Sequence, residues 1–236
     1  MARSRSLHSW TLSSSEAQAL QTELRSQVQL NRLAHGSAGI RTVAGCDISF
    51  NRDDETVYAA IVVISLPGLE TVEEAGVVTR STFPYVPGLL SFRETPPLLE
   101  AWAKLRREPD AVMLDGQGIA HPRRFGIASH LGLLLERPTW GCAKSVLVGR
   151  YAEPPLQRGA HTPLIDRDET VGAALRTREG VQPVFVSPGH LLDLEGALAL
   201  TLQCSTGKLR LPEPTRRAHL FANALRRGED RGGQLL

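Results

Sequence analysis

Three runs decide how this chain folds: RTVAGCDISF (residues 41–50), TVYAAIVVISL (56–66) and AGVVTRSTF (75–83). Each is dense in β-branched and apolar residues, and turn formers separate them, Asn51-Arg52-Asp53-Asp54 and Pro67-Gly68. They read as three strands, and connections this short favour an antiparallel meander. Upstream, Ser13 followed by Glu16 is a capping-box signal, and Ala17, Leu20, Leu24 and Val28 recur at helical spacing. An amphipathic helix over about residues 13–34 is expected. Downstream of Pro84 the period changes. Leu89 to Arg107 reads as a loop leading into a helix and Ala111 to Leu114 as a short buried strand. Phe125 to Glu136 reads as a helix, with strands over Thr139 to Val148 and Pro183 to Ser187. Helices are expected over Leu192 to Cys204 and Thr215 to Arg226.

A chain of 236 residues that is 42% hydrophobic can bury one sizeable core but is short for two ordinary domains. One domain over 1–236 is expected, with its core over about 41–226. No apolar run is long enough to cross a bilayer, and Met1 to Ser14 lacks an apolar signal core, so neither a membrane nor a secretory role is expected. Cys46, Cys142 and Cys204 are odd in number and form no C-x-x-C pair, which fits a reducing cytoplasm rather than a disulfide scaffold or zinc site. A net charge of +2 is too small to identify a nucleic-acid partner; local clustering matters more. A monomer is the default expectation.

Three antiparallel strands followed by alternating helices and strands is the order of a ribonuclease H-like α/β fold: a mixed sheet, order 3-2-1-4-5, flanked by helices. In it the first strand is central and neighbours the fourth. Asp47 and Asp115, far apart in sequence, then lie side by side. An ionised carboxylate within Val43-Ala44-Gly45-Cys46-Asp47-Ile48 is costly unless it is paired or binds a cation, so a buried salt bridge and a functional acid are both open for Asp47. Asp115 ends Val112-Met113-Leu114 and begins Gly116-Gln117-Gly118, which delivers a carboxylate to a Gly-rich loop at the carboxyl edge of the sheet, where α/β ligand sites form. A turn Asp is the ordinary alternative. Glu94 precedes Pro96-Pro97, and on local grounds an acid complementing a helix dipole is as good a reading as a ligand. Together the three acids suggest a hard-cation site for Mg²⁺, with Mn²⁺ substituting. Lys144 interrupts an apolar strand, as a charged site residue or a strand-end lysine would. His121 sits in a Gly/Pro loop, which favours a site role, whereas His130 among Leu131, Leu133 and Leu134 reads as structural. Arg123 and Arg124 are ordinarily a solvated charged face.

The stretch Pro84-Tyr85-Val86-Pro87-Gly88-Leu89-Leu90-Ser91-Phe92-Arg93-Glu94 closely resembles the most distinctive motif of the endonuclease V family. The segment Asp115 to His130, then Gly141-Cys142-Ala143-Lys144-Ser145, Val186-Ser187-Pro188-Gly189-His190 and Leu211 to His219 resemble further family motifs in the expected order. The resemblance runs from about Gly45 to about Asn223. Cys142 stands where valine is usual, and Leu191 where a basic residue is frequent.

This resemblance implies a metal-dependent endonuclease of DNA repair or nucleic-acid processing. It would hydrolyse the second phosphodiester bond 3′ to deoxyinosine or inosine, in DNA or RNA, leaving 3′-hydroxyl and 5′-phosphate ends. It makes Asp47, Glu94 and Asp115 the catalytic carboxylates and metal ligands. His219 would orient metal or water, and Lys144 would offset charge on the scissile phosphate. Tyr85, stiffened by Pro84 and Pro87, would act as a wedge, with Gly88 and Arg123 in the same substrate contact. Gly116, Gly118, Ile119 and His121 are the implied pocket for the altered base. Two rivals stay open: a non-catalytic nucleic-acid-binding module using Arg123, Arg124, Lys144, Arg216 and Arg217, and another ribonuclease H-like nuclease. Retention of three mutually repelling acids speaks against the first, and the Pro84 to Glu94 motif against the second.

Overall fold

The computed structural model describes residues 2–31, 39–51 and 54–229. Strands β1 (Thr42–Phe50), β2 (Thr56–Ser65) and β3 (Thr71–Arg80) form the expected antiparallel meander, and β4 (Ala111–Leu114) adds to β1 in parallel. Arg52 and Asp53 of the first predicted turn lie outside the described residues. The sheet continues through β5 (Thr139–Ala143) to β8 (Val184–His190), β7 (Glu169–Leu175) and β6 (His161–Asp166), giving the order β3-β2-β1-β4-β5-β8-β7-β6. The predicted 3-2-1-4-5 order is therefore present, with three further strands beyond it.

Helices cover both faces, which explains why β1 and β2 read as nearly continuous apolar runs. On one face α2 (Leu90–Ala103) and α3 (Ile127–Leu135) bury Leu98, Trp102 and Leu131 against Ala44, Cys46, Ile61 and Leu114. On the other, α4 (Leu194–Gln203) and α5 (Glu213–Arg226) bury Leu198, Ala218, Phe221 and Leu225 against Val43, Val62, Met113 and Trp140. Alternate β1 side chains serve the two layers. At Gly45 an added Cβ would sit 2.0 Å from the backbone carbon of Pro214, so α5 seats directly on the β1 backbone only because this residue has no side chain.

Two sequence expectations need correction. The N-terminal helix α1 spans Ser14–Leu24, with the Ser13–Glu16 capping box formed, and ends in a 3-10 turn at Arg25–Gln27 instead of running to 34. Tertiary hydrogen bonds displace the helix: Gln29 N–H donates to His190 Nδ1 (3.2 Å), and Leu191 N–H donates to the Gln29 carbonyl (2.7 Å). Residues 32–34 of the predicted span lie outside the described residues. The strand expected over Thr139 to Val148 ends at Ala143, because side chains take the next two carbonyls. Arg210 Nη2 donates to Lys144 O (2.7 Å) and Gln117 Nε2 to Ser145 O (3.1 Å).

Candidate active site

The parallel pairing of Cys46 with Leu114 puts Asp47 and Asp115 next to each other at the carboxyl ends of β1 and β4. Asp115 N–H points to the Cys46 carbonyl at 3.4 Å. Glu94 enters from α2, in its second turn, and His219 from α5 on the opposite layer; Lys144 follows the last residue of β5. All five line one cavity of about 290 Å³, floored by Cys46, Leu98, Leu114 and Ile127. The residues named from separate stretches of sequence are thus brought together.

Electrostatics in this cavity favour added positive charge. Burial, then the Asp115 charge, pushes the Asp47 carboxyl up to about 6, with His219 and Lys144 pulling the other way. Burial and the charges of Asp47 and Asp115 push Glu94 up to about 8. The Lys144 ammonium is ion-paired to Asp115 Oδ2, and His219 Nδ1 lies 3.1 Å from Asp47 Oδ2. On its other side His219 Nε2 faces Asn223 Nδ2 at 3.0 Å. The amide donates there, so the ring proton lies on Nδ1, aimed at Asp47.

A second cavity of about 370 Å³ adjoins the first and shares Asp115, Ile127 and Lys144 with it. Its other walls include Tyr85, Pro87, Gly88, Gly116, His121 and Leu147. Tyr85 is 71% exposed, a large ring held on a proline-flanked loop. The loop is anchored by buried Phe83 and Leu89, which pack with Phe92 and Ala17. His121 is buried: its Nδ1 accepts from Arg123 N–H (3.2 Å), which leaves Nε2 to donate to the Gly88 carbonyl (3.0 Å). Burial and neighbouring Arg123 pull its pKa down to about 4, keeping the ring neutral.

Four predicted substrate residues do not line either cavity. Pro84 is exposed on the outer side of the loop. Gly118 N–H donates to Ser187 Oγ (2.7 Å) and Ile119 N–H to the Pro188 carbonyl (2.8 Å), which ties this segment to β8. Arg123 turns inward, donating from Nε to Gln21 Oε1 (2.5 Å) and from Nη2 to Gly88 O (2.7 Å). Nor is Arg124 part of a solvated face. Arg124 is buried and ion-paired to Asp166 (2.8 Å) and Glu169 (2.7 Å), while Arg216 and Arg217 share buried Glu213. Gln21, Leu147 and Asn223 were not singled out by sequence. Only Gln21 left a signal there, as a polar residue four positions after Ala17 and three before Leu24 on the apolar stripe of α1.

A mixed sheet of this order with carboxylates at the ends of the adjacent parallel strands β1 and β4 defines a nuclease of the ribonuclease H-like class. Residues 22–220 match the family model of endonuclease V. Endonuclease V of Gloeobacter violaceus is 52% identical over 225 residues, covering 94% of this chain and 89% of that protein. The crystal structure of endonuclease V from Bacillus subtilis superposes with a TM-score of 0.91 at 32% identity, covering 96% of this chain and 98% of that one. Ciona intestinalis endonuclease V, in complex with a 23mer DNA containing an inosine followed by a ribo-adenosine, superposes with a TM-score of 0.82 at 28% identity, covering 93% and 100%. The chain belongs to the endonuclease V family, and it is a nuclease, a hydrolase acting on DNA.

The family's nucleases are metal-dependent. Among the described residues no three His, Cys, Asp or Glu side chains are drawn onto one point, and Lys144 and His219 each hold a carboxylate oxygen. The donor set still fits a hard divalent cation: three carboxylates face one cavity, and two of them are raised by burial and by their neighbours' negative charge.

Proposed function

We propose that the carboxylate cavity hydrolyses the second phosphodiester bond 3′ to deoxyinosine or inosine, leaving 3′-hydroxyl and 5′-phosphate ends, with Mg²⁺ as cofactor and Mn²⁺ as a substitute. One observation carries this reading: the acidic cavity and a largely apolar recess of purine-accepting size adjoin and share Asp115 and Lys144. A base held in the recess leaves the strand continuing past the carboxylates, so cleavage falls at a set offset from the lesion. Relatives support the substrate, above all the Ciona enzyme bound to inosine-containing DNA.

In this reading Asp47, Glu94 and Asp115 hold the cation. A bound cation supplies Lewis-acid charge to the phosphate and acidifies an attacking water. Lys144, beside Asp115, would offer its ammonium to the charge growing on the scissile phosphate. His219 keeps its Nδ1 proton directed at Asp47 and so fixes that carboxylate's rotamer. Tyr85 inserts beside the lesion, where extrusion costs least at a mispaired base. Gly88, Gly116 and His121 wall the recess, with Pro84 and Pro87 stiffening the loop. Arg123 supports Gly88 from behind, and Gly118 and Ile119 hold the Gly-rich segment in place. The buried reduced thiols suit a cytoplasmic setting, a single-domain monomer is the default, and no helix among the described residues is long and apolar enough to cross a membrane.

The binding-only rival is weakened because, of its five cations, Arg123, Arg124, Arg216 and Arg217 have internal partners and Lys144 is held by a site carboxylate. The test is an end-labelled duplex with one deoxyinosine, its unmodified twin and an inosine RNA, in Mg²⁺ and in EDTA. A single metal-dependent nick one bond beyond the adjacent linkage is the expected result. No nick on any of them, or preferential cutting of plain RNA–DNA hybrids or four-way junctions, would overturn the reading.

A further inference from the structure

Gln21 is fully buried on α1, and it lies one residue outside the matched family segment. A buried primary amide must find partners for its donors and its acceptor or carry an unsatisfied group. Here Nε2 donates to the Gly88 carbonyl (3.1 Å) and to the Phe125 carbonyl (3.1 Å), while Oε1 accepts from Arg123 Nε (2.5 Å). The Gly88 carbonyl also receives Arg123 Nη2 at 2.7 Å and His121 Nε2 at 3.0 Å. Three side chains from two separate segments therefore converge on one carbonyl. It sits at a residue of left-handed conformation (φ +77°), where the turn closed by Leu89 N–H to Val86 O (2.9 Å) ends. Tyr85 stands immediately before that turn, and it lines the same recess as Gln21, Gly88 and His121.

Of these donors, Gln21 also accepts from the Arg123 guanidinium, while His121 accepts only from the Arg123 backbone N–H. Gln21 also ties Phe125, at the end of the Gly-rich segment, to the same point. We propose that Gln21 is a positioning residue for lesion recognition, its amide fixing where the Tyr85 loop meets a duplex. The inference rests on the endonuclease reading above. A single strand has no partner to be parted from, so the brace matters to duplex substrate and far less to the same inosine in a single strand.

The experiment compares Gln21→Met, similar in length but without hydrogen-bonding groups, with the unsubstituted protein in Mg²⁺, using inosine in duplex and in single-stranded DNA of one sequence. Duplex kcat/KM should fall roughly tenfold, the loss expected from unmaking buried hydrogen bonds, and the duplex-to-single-strand ratio should fall with it. Amide exchange over residues 84–89 should rise. Gln21→Glu, which keeps the acceptor for Arg123 and loses both donors, should behave likewise. Equal loss on both substrates, no loss on either, or unaltered exchange over 84–89 overturns the proposal. So does failure of both variants to fold, which would make Gln21 a packing residue. If the unsubstituted protein cuts neither substrate, the endonuclease reading fails, and the exchange measurement still decides whether the brace exists.

Discussion

Glu94 is the residue at which stability and chemistry oppose each other. Its carboxyl is raised to about 8 by burial and by Asp47 and Asp115, so ionising it in the metal-free protein is unfavourable. A folded-state pKa above the unfolded value means its stabilising contribution is complete in acid and is lost as pH rises toward 8. Glu94→Gln should therefore raise the thermal midpoint of the metal-free protein at pH 8.5 by roughly 2–4 °C for each kcal/mol of repulsion relieved, while nicking is lost. Scanning calorimetry with and without EDTA checks this; a lower midpoint would show that the carboxylate is a structural partner instead. Asp115→Asn should cut nicking at least about 100-fold with the fold retained by circular dichroism. Unfolding of that variant would favour the salt bridge with Lys144 as the reason for the acid.

At the scale of elements, α1 and the Tyr85 loop carry separable effects. Ser13→Ala removes the side-chain half of a formed capping box and should cost about 1 kcal/mol, read as a lower thermal midpoint with nicking intact. Tyr85→Ala should leave metal binding in place and weaken the preference for inosine over the unmodified duplex, checked by competition cleavage. Unchanged preference would exclude the wedge role. Elements whose order follows from local chemistry were legible: β1, β2 and β4 from their apolar runs, α1 from its cap. The β6–β7 hairpin was not. Its turn is Arg167-Asp168, both at positive φ (51° and 63°), with no glycine to mark it, and Pro163 breaks the strand pattern. The end of α1 was equally hidden, since the bonds that stop it come from residues 190 and 191.

For the whole molecule, Asp47 and Asp115 were legible as acids at the ends of apolar strands, whereas Glu94, on α2, stood out only through the Pro84 to Glu94 resemblance. The site's supports were not legible, because Gln21 and Asn223 acquire meaning only from partners distant in sequence. The same distance effects govern pH response. His130 is fully buried within hydrogen-bonding distance of His8 (Nε2 to Nε2, 2.7 Å) and ringed by Trp10, Phe92 and Phe125. Burial, with His8 alongside, pulls its pKa down to about 3. A depressed histidine pKa gives stability that is complete above the unfolded value of about 6.5 and is lost as pH falls toward 3. Between pH 6.5 and 4 the metal-loaded protein should lose more stability than His130→Phe, up to about 1.4 kcal/mol per pH unit, measured by urea titration. Parallel curves for the two would sink this account.

The seat of α5 on Gly45 has a consequence in time. His219 and the cover of one sheet face belong to the last helix described, whereas Asp47, Glu94 and Asp115 emerge from the ribosome more than a hundred residues earlier. A nascent chain can align its three acids on the exposed sheet, but their surroundings are finished only when α5 docks. The nuclease thus gains its completed site only once α5 has been made, well after its three acids.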